Sequence, residues 1–190
     1  MRNIILHQRE ERDRLLSLPY INRQTIYPVD VLLQSPMIKL ITGPRRVGKS
    51  VFALLALKNT NFAYLNFDDN QLLTNWNEDV VMQTLNDVYP DFQYLLLDEV
   101  QNLPNWDLWV TTLYRRGYNL IITGSNARML SQEMATVLTG RYIPIAMYPF
   151  SLPETLQWYD IDPTNNIPTE KHAKVLSLQD DYLRLGGYPE

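Results

Sequence analysis

The sequence predicts a three-layer α/β fold, in which helices cover both faces of a parallel five-stranded sheet and a small helical appendage follows. Short and almost continuously apolar runs alternate with segments of helical pattern, which is typical of parallel sheets buried on both faces. A glycine-rich turn separates the first apolar run from the next helical segment. With 190 residues, 45% of them hydrophobic, the chain is long enough to bury one sizeable core.

Five apolar runs are the strand candidates of this sheet. They cover residues 37–42, 62–67, 92–97, 118–123 and 142–147. Pro144 lies inside the fifth run. Because proline has no backbone N–H to donate to a neighbouring strand, we expect this run at an edge or at a strand end.

Helical patterns occupy the intervals between these runs. They cover residues 2–17, 50–58, 80–88, 104–116 and 127–139. Pro104 is tolerable in the first turn of its helix, where a missing N–H costs little. Gly117 suits the left-handed backbone conformation that commonly follows the last turn of a helix.

The chain divides into three predicted parts. Residues 1–36 form a lead-in, whose helix is followed by Pro19, Pro28 and Pro36; these prolines are expected to interrupt regular structure until the core begins. Residues 37–150 form the core, and residues 151–190 form an appendage with helices near 152–159 and 174–185. Its apolar side chains are expected to be buried against the sheet. They are Leu152, Leu156, Trp158, Leu176, Leu183 and Leu185.

Composition narrows the class of protein. The chain has no cysteine, which excludes disulfides and zinc–thiolate sites and favours a cytoplasmic location. Its formal net charge of −4 gives no support to nonspecific nucleic-acid binding. The basic residues of the first helix alternate with acidic ones, so a solvated face is the preferred interpretation. The apolar start of that helix is too short for a signal peptide or a membrane anchor.

Residues 43–50 read GPRRVGKS and fit the phosphate-loop pattern G-x-x-x-x-G-K-[ST] at every fixed position. A strand candidate precedes this stretch and a helix follows it, so backbone N–H groups are expected to face a phosphate. Lys49 is expected to reach the β and γ oxygens of a nucleotide, and Ser50 to offer its hydroxyl to Mg²⁺. The side chains of Arg45 and Arg46 are expected to point away from phosphate. The predicted nucleotide-binding residues are Gly43, Pro44, Arg45, Arg46, Val47, Gly48, Lys49, Ser50 and Val51.

A second motif is the apolar run 94–97 followed by Asp98 and Glu99. Ligands of open α/β sheets gather outside the carboxyl ends of the strands, where these two carboxylates are expected. Asp98 is predicted to hold Mg²⁺, directly or through water, and Glu99 to orient and deprotonate the attacking water. An acidic pair that only ends a strand is the competing interpretation, which its spacing from the phosphate loop disfavours.

A third polar cluster, residues 123–126, follows the fourth strand candidate. If that strand neighbours both the first and the third, Ser125 or Asn126 is placed to position the water or to sense loss of the γ-phosphate. A helix N-cap on the following element is nearly as well supported and does not exclude that role.

Two functions fit these motifs. The first is a Mg²⁺-dependent ATP hydrolase, because a glutamate beside the magnesium aspartate favours water as the acceptor; ATP is preferred to GTP because no N-K-x-D motif is present. The second is a switch that binds a nucleotide and hydrolyses little of it. The intact acidic pair favours the hydrolase, and nucleic-acid remodelling is disfavoured by the net charge.

The chain resembles the prokaryotic AAA-type ATPases in which an AAA domain of the AAA_14 kind precedes a C-terminal DUF4143 domain. The likeness covers nearly everything from residue 20 onward. Its motifs are ITGPRRVGKS at 41–50, NFDD at 66–69, LLLDEVQNLPNW at 95–106, ITGSNARML at 122–130, LTGR at 138–141 and GGYPE at 186–190. Members of this family continue beyond the last motif, so the resemblance implies that the chain is the ATPase half.

The resemblance also implies a sheet in the order 5-1-4-3-2 and the ATPase chemistry of the AAA superfamily. Such ATPases often complete their site with an arginine, for which Arg141 is the candidate, with a surface salt bridge as the alternative. Gln101 matches the family and is expected either to contact nucleotide or to cap a turn. The expected partner is a protein or the C-terminal domain, and assembly into a homo-oligomer is left open.

Overall fold

A computed structural model describes residues 1–25, 28–125, 140–162 and 169–188. Its centre is one five-stranded sheet, in which all paired strands are parallel. The strands are β1 (Ile38–Thr42), β2 (Phe62–Asn66), β3 (Tyr94–Asp98), β4 (Asn119–Gly124) and β5 (Tyr142–Ala146). They lie in the order β2-β3-β4-β1-β5, which confirms the predicted order. β5, with Pro144, is at an edge, as its proline requires.

Eight α-helices are described in the four ranges. They are α1 (Arg2–Leu16), α2 (Val29–Gln34), α3 (Lys49–Leu57), α4 (Asn70–Thr74), α5 (Glu78–Val88), α6 (Trp106–Arg115), α7 (Leu152–Trp158) and α8 (Thr169–Leu185). A short 3-10 turn, Val100–Asn102, follows β3. The helix predicted at 127–139 lies outside the described residues. No helix in the described part of the chain is long and apolar enough to cross a membrane.

Successive strand residues face opposite sides of the sheet and bury two separate cores. In β3, Leu95 and Leu97 belong to the core that α5 and α6 cover, whereas Leu96 belongs to the core under α3. The other central strands alternate in the same way, because side chains of an extended strand point to its two faces in turn. The three-layer α/β architecture is therefore confirmed.

Helix α1 protects the exposed edge of the sheet at β2. Gln8 donates to the backbone carbonyl of Asn66 at 3.1 Å and accepts from its N–H at 2.9 Å. Arg12 donates to the carbonyl of Phe62 at 2.8 Å and lies over its ring. These contacts satisfy backbone groups that an edge strand leaves without a strand partner.

Among the differences from the predicted boundaries, two have a clear local cause. The expectation that no regular element forms between Pro19 and Pro36 is wrong, because Pro28 stands at the N-cap of α2, where the fixed backbone angle of proline is tolerated. The helix expected from residue 104 begins at Trp106, after a turn through Asn105. Gly117 follows α6 with φ of 86°, as predicted for the residue after the last turn.

The C-terminal helices form a small cluster of their own. Leu156, Ile161 and Leu178 are buried together, with Leu152 packed beside them. The expectation that all the leucines of this region are buried is wrong, since Leu183 is 74% exposed. Trp158, Leu176 and Leu185 are exposed as well. Helix α8 carries more apolar side chains than α7 is able to cover. The prediction failed because it assumed that an apolar side chain is buried whatever its neighbours.

Two leucines on α6 test where the core lies. Leu113 is fully buried and Leu108 is 60% exposed. We expect Leu113→Ala to lower the free energy of unfolding by about 2–5 kcal/mol, because the truncation leaves a cavity. The matched variant Leu108→Ala should change it by less than about 0.5 kcal/mol. Chemical denaturation of both variants measures the difference, and equal losses would contradict the packing described for α6.

Candidate functional site

The phosphate-loop motif forms the connection from β1 to α3. A methyl group at Gly43 would lie 2.2 Å from the carbonyl oxygen of Met147, a separation that forces the backbone to move. Gly48 has φ of 85° and ψ of 27°, the left-handed conformation, and is the N-cap of α3. The two fixed glycines of the motif are therefore needed for different reasons, one for close approach and one for its backbone angle.

Lys49 is the first residue of α3 and is almost fully buried. Its ammonium donates to the carbonyl of Pro44 at 3.0 Å, across the loop. The same nitrogen lies 3.6 Å from Oε1 of Glu99. The loop thus holds a buried positive charge at its centre, beside one of the predicted catalytic carboxylates.

Asp98, the last residue of β3, is the polar centre of the site and only 3% exposed. Its Oδ1 accepts from the Ser50 hydroxyl at 2.8 Å and from the Thr123 hydroxyl. Its Oδ2 accepts from the Tyr64 hydroxyl at 3.2 Å. One carboxylate thereby connects α3 with β2 and β4.

Burial raises the pKa of Asp98 above its ordinary value, and the neighbouring Glu99 carboxylate adds to the increase. The hydroxyl donors Thr123, Ser50 and Tyr64 act in the opposite direction without cancelling it. The negative charge on Asp98 is therefore unfavourable in the folded protein unless a cation compensates it.

Glu99 lies next to Asp98 in the left-handed backbone conformation, with φ of 51°. That conformation is uncommon for a residue with a side chain and turns Glu99 out of the strand direction. Its Oε2 accepts from the Ser125 hydroxyl at 2.8 Å and from the Gln101 amide at 2.5 Å. The backbone N–H of Glu99 donates to the Thr123 hydroxyl at 3.0 Å.

The electrostatic environment of Glu99 is opposite to that of Asp98. Burial by itself would raise the pKa of Glu99, but the donors Gln101 and Ser125 and the nearby Lys49 ammonium hold that pKa below its ordinary value. Two adjacent carboxylates thus have pKa values shifted apart by their surroundings, an arrangement that is common at catalytic sites.

The remaining predicted residues are distributed as follows. Pro44, Arg45 and Arg46 are exposed on the loop, whereas Val47 is fully buried. Asn126 lies outside the described residues. Arg141 is exposed, and its carbonyl accepts from the N–H of Ile38, the first residue of β1. Arg141 therefore lies beside the first residue of β1, whereas the phosphate loop follows the last. A strand of five residues separates these two ends by roughly 13 Å, so the structure does not bring Arg141 to the site.

Sequence reasoning missed three residues that the structure places around the site. Tyr64 belongs to no motif, and only the pairing of β2 with β3 brings it to Asp98. Thr123 belongs to the polar cluster 123–126, but the sequence predicted no separate role for it. Arg23, in the lead-in, donates to the carbonyl of Val47 at 2.6 Å. Its position between two prolines gave no signal of such a contact.

Comparison with solved structures supports the fold. The Walker-type ATPase PABY2304 of Pyrococcus abyssi aligns with 95% of this chain and 64% of its own length, with a TM-score of 0.53. The aligned residues are 18% identical, so this likeness concerns the architecture alone. Together with the parallel sheet order, it identifies the fold as that of P-loop NTPases.

Two relatives are uncharacterised proteins. MJ1544 of Methanocaldococcus jannaschii is 30% identical in an alignment of 171 positions that covers 85% of this chain and 38% of the relative. A protein of Haemophilus influenzae is 35% identical in an alignment of 167 positions that covers 80% of this chain and 39% of the relative. The chain thus spans less than half the length of either relative. The model of the AAA domain family AAA_14 matches residues 35–156, and the chain belongs to that family of AAA-type P-loop ATPase domains.

Proposed function

We propose that the chain binds ATP with Mg²⁺ at the phosphate loop and hydrolyses it, and that turnover drives a conformational change in an attached or partner domain. The observation that carries this proposal is the convergence of Lys49, Ser50, Asp98 and Glu99 at the carboxyl end of the sheet. Ser50 Oγ lies 2.8 Å from Asp98, and Lys49 Nζ lies 3.6 Å from Glu99. A cation, a metal-binding pair and a carboxylate base are the groups that phosphoryl transfer to water requires.

The donor set suits magnesium. A serine hydroxyl and a carboxylate are hard oxygen ligands, and Mg²⁺ is usually held by one or two such groups together with substrate phosphates and water. Ser50 and Asp98 would hold the ion. When bound, it neutralises charge on the phosphates during transfer. The cation would also stabilise the Asp98 charge that burial disfavours.

Space for a nucleoside lies beside the loop. A cavity of about 440 Å³ lies there, and its walls combine aromatic and aliphatic side chains with two arginines. Its lining includes Tyr20, Phe150, Trp158, Val51, Gly48, Arg23 and Arg46. A flat aromatic base is buried favourably by such walls. This cavity supports a nucleotide ligand over a lone phosphate ion.

Glu99 is proposed to orient and deprotonate the attacking water. Ser125 and Gln101 hold its Oε2, and the lowered pKa keeps the side chain ionised at neutral pH. Ionisation is needed for a base, although a lower pKa also weakens its basicity. Ser125 would then act by fixing the carboxylate, and Asn126 and Arg141 remain proposed contributors, Arg141 only from a neighbouring copy of the chain.

A switch that binds ATP and hydrolyses little of it is the second candidate. The observation in its favour is that Glu99 is already engaged by Ser125, Gln101 and Lys49, which occupy most of the accepting positions of its carboxylate. If the attacking water is poorly held as a result, the bound nucleotide persists. The rate of phosphate release discriminates between the two candidates.

Lys49→Ala tests the phosphate loop. Removing the ammonium should lower the affinity for Mg·ATP by more than about tenfold, because a charge-assisted contact with phosphate is lost. Lys58→Ala, an exposed lysine just after the same helix, is the control and should bind as the parent does. Calorimetric titration measures both. Parental affinity in Lys49→Ala, with the fold intact, would remove the assignment of the loop.

Glu99→Gln should separate binding from turnover. The amide keeps the size of the side chain but loses the basicity needed to activate water, a contribution of about 10²- to 10⁴-fold. Affinity for Mg·ATP should change little, since Ser50 and Asp98 are untouched. Phosphate release under single-turnover conditions is the measurement. A variant as fast as an active parent would rule out the role of Glu99 and favour the switch.

Asp98→Asn should stabilise the protein and impair its function. Because the pKa of Asp98 is raised in the folded state, its ionisation destabilises the fold once the pH exceeds the ordinary aspartate value of about 4. At pH 7 without magnesium, the melting temperature of the variant should exceed that of the parent, by about 2–4 °C for each kcal/mol added to the free energy of unfolding. The difference should vanish near pH 3, where Asp98 is protonated in both the folded and the unfolded parent. Asp180→Asn, at an exposed position, is the control. A lower midpoint for Asp98→Asn at pH 7 would contradict the argument.

A further inference from the structure

Arg23 connects three distant parts of the chain at the phosphate loop. Its Nε donates to Oε1 of Glu154 at 3.0 Å, and its two terminal nitrogens donate to the carbonyls of Val47 and Tyr148, each at 2.6 Å. The guanidinium also lies 4.7 Å from the centre of the Phe150 ring. Its side chain is 10% exposed. All three nitrogens are thus engaged by protein groups.

The contact with Val47 controls one peptide plane of the loop. The carbonyl of Val47 and the N–H of Gly48 belong to the same planar trans peptide, so they point in opposite directions. Arg23 fixes the carbonyl, and this contact keeps the Gly48 N–H directed away from the guanidinium. Gly48, with its left-handed backbone and no side chain, offers little resistance to a flip of that peptide. A charge-assisted hydrogen bond from Arg23 supplies the missing constraint.

Glu154 in turn orients Arg23. It lies in the first turn of α7, and its side chain is only 5% exposed. Its Oε1 accepts from Arg23 and from the N–H of Gln24, and its Oε2 accepts from the N–H and the hydroxyl of Ser151. Burial by itself would raise the pKa of Glu154, but these donors hold it below the ordinary value, so the side chain is ionised at neutral pH.

We propose that Arg23 is a positioning residue of the phosphate site: oriented by Glu154, it holds the Val47–Gly48 peptide in the conformation that binds phosphate. This inference rests on the proposed function. It assigns to the lead-in and to α7 a direct influence on nucleotide affinity, although neither belongs to a phosphate-binding motif. Arg23 itself has no role in the chemistry, since it acts through the loop backbone.

Arg23→Lys tests the inference with the charge retained. One ammonium is unable to reproduce three directed contacts from a planar group. Inorganic tripolyphosphate with Mg²⁺ is the probe, together with Mg·ATP, because it reports on the loop without the base cavity. We expect about tenfold weaker binding of both ligands, the usual effect of losing one charge-assisted hydrogen bond. Glu154→Gln should weaken binding in the same direction, and the double variant should be no worse than Arg23→Lys, since both residues act through one contact.

Arg12→Lys is the matched control. Arg12 also donates to a backbone carbonyl, that of Phe62, and also lies over an aromatic ring, but it is on α1 at the far edge of the sheet. Arg12→Lys should therefore lower the melting temperature and leave the affinity for both ligands unchanged. If Arg23→Lys and Glu154→Gln bind both ligands within about twofold of the parent and only the melting temperature falls, Arg23 stabilises the fold without influencing phosphate binding. The inference is then overturned. A parent chain that binds neither ligand overturns the proposed function and this inference together.

Discussion

The site depends on the hydrogen bonds that the buried carboxylate of Asp98 accepts. This carboxylate accepts hydrogen bonds from Ser50 on α3, Thr123 on β4 and Tyr64 on β2. These contacts hold the start of the phosphate-loop helix against the carboxyl ends of the central strands. They satisfy the carboxylate geometrically, yet burial still raises its pKa. A fold that retains such a charge gives up stability at a position where a cation is proposed to bind.

The sheet order explains why these groups meet. β4 lies between β1 and β3, so Thr123 is next to Asp98, and the loop after β1 follows on the far side of β4. Parallel strands have their carboxyl ends on the same side of the sheet, where β3 contributes Asp98 and β4 contributes Thr123. Glu99, the next residue, has a left-handed backbone conformation. Its side chain therefore points away from the strand direction and contacts other groups than Asp98 does. Of the two edge strands, β2 is covered by α1 and contributes Tyr64 to Asp98, whereas β5 pairs with β1 and supports the strand that leads into the loop.

Much of this architecture could be predicted from the sequence. Apolar runs and the loop motif were enough to place the five strands, Lys49 and the acidic pair, since these signals are local. The strand order came from family resemblance, because periodicity carries no information on neighbours. Tyr64 and Arg23 were missed because their roles arise from tertiary contacts between segments far apart in the chain. The burial of Leu183 was predicted wrongly, because residue type alone does not reveal how much surface a neighbouring helix covers.

The most direct test of the account is calorimetric titration of the unmodified chain with ATP, in the presence of Mg²⁺ and again with a chelator. The account predicts saturable binding at one site with Mg²⁺, and binding weaker by at least about tenfold without it, because Ser50 and Asp98 are proposed to hold a metal ion that would neutralise the phosphates. Absence of ATP binding under both conditions would contradict the central claim. Equal affinity under both would contradict the proposed metal site at Asp98.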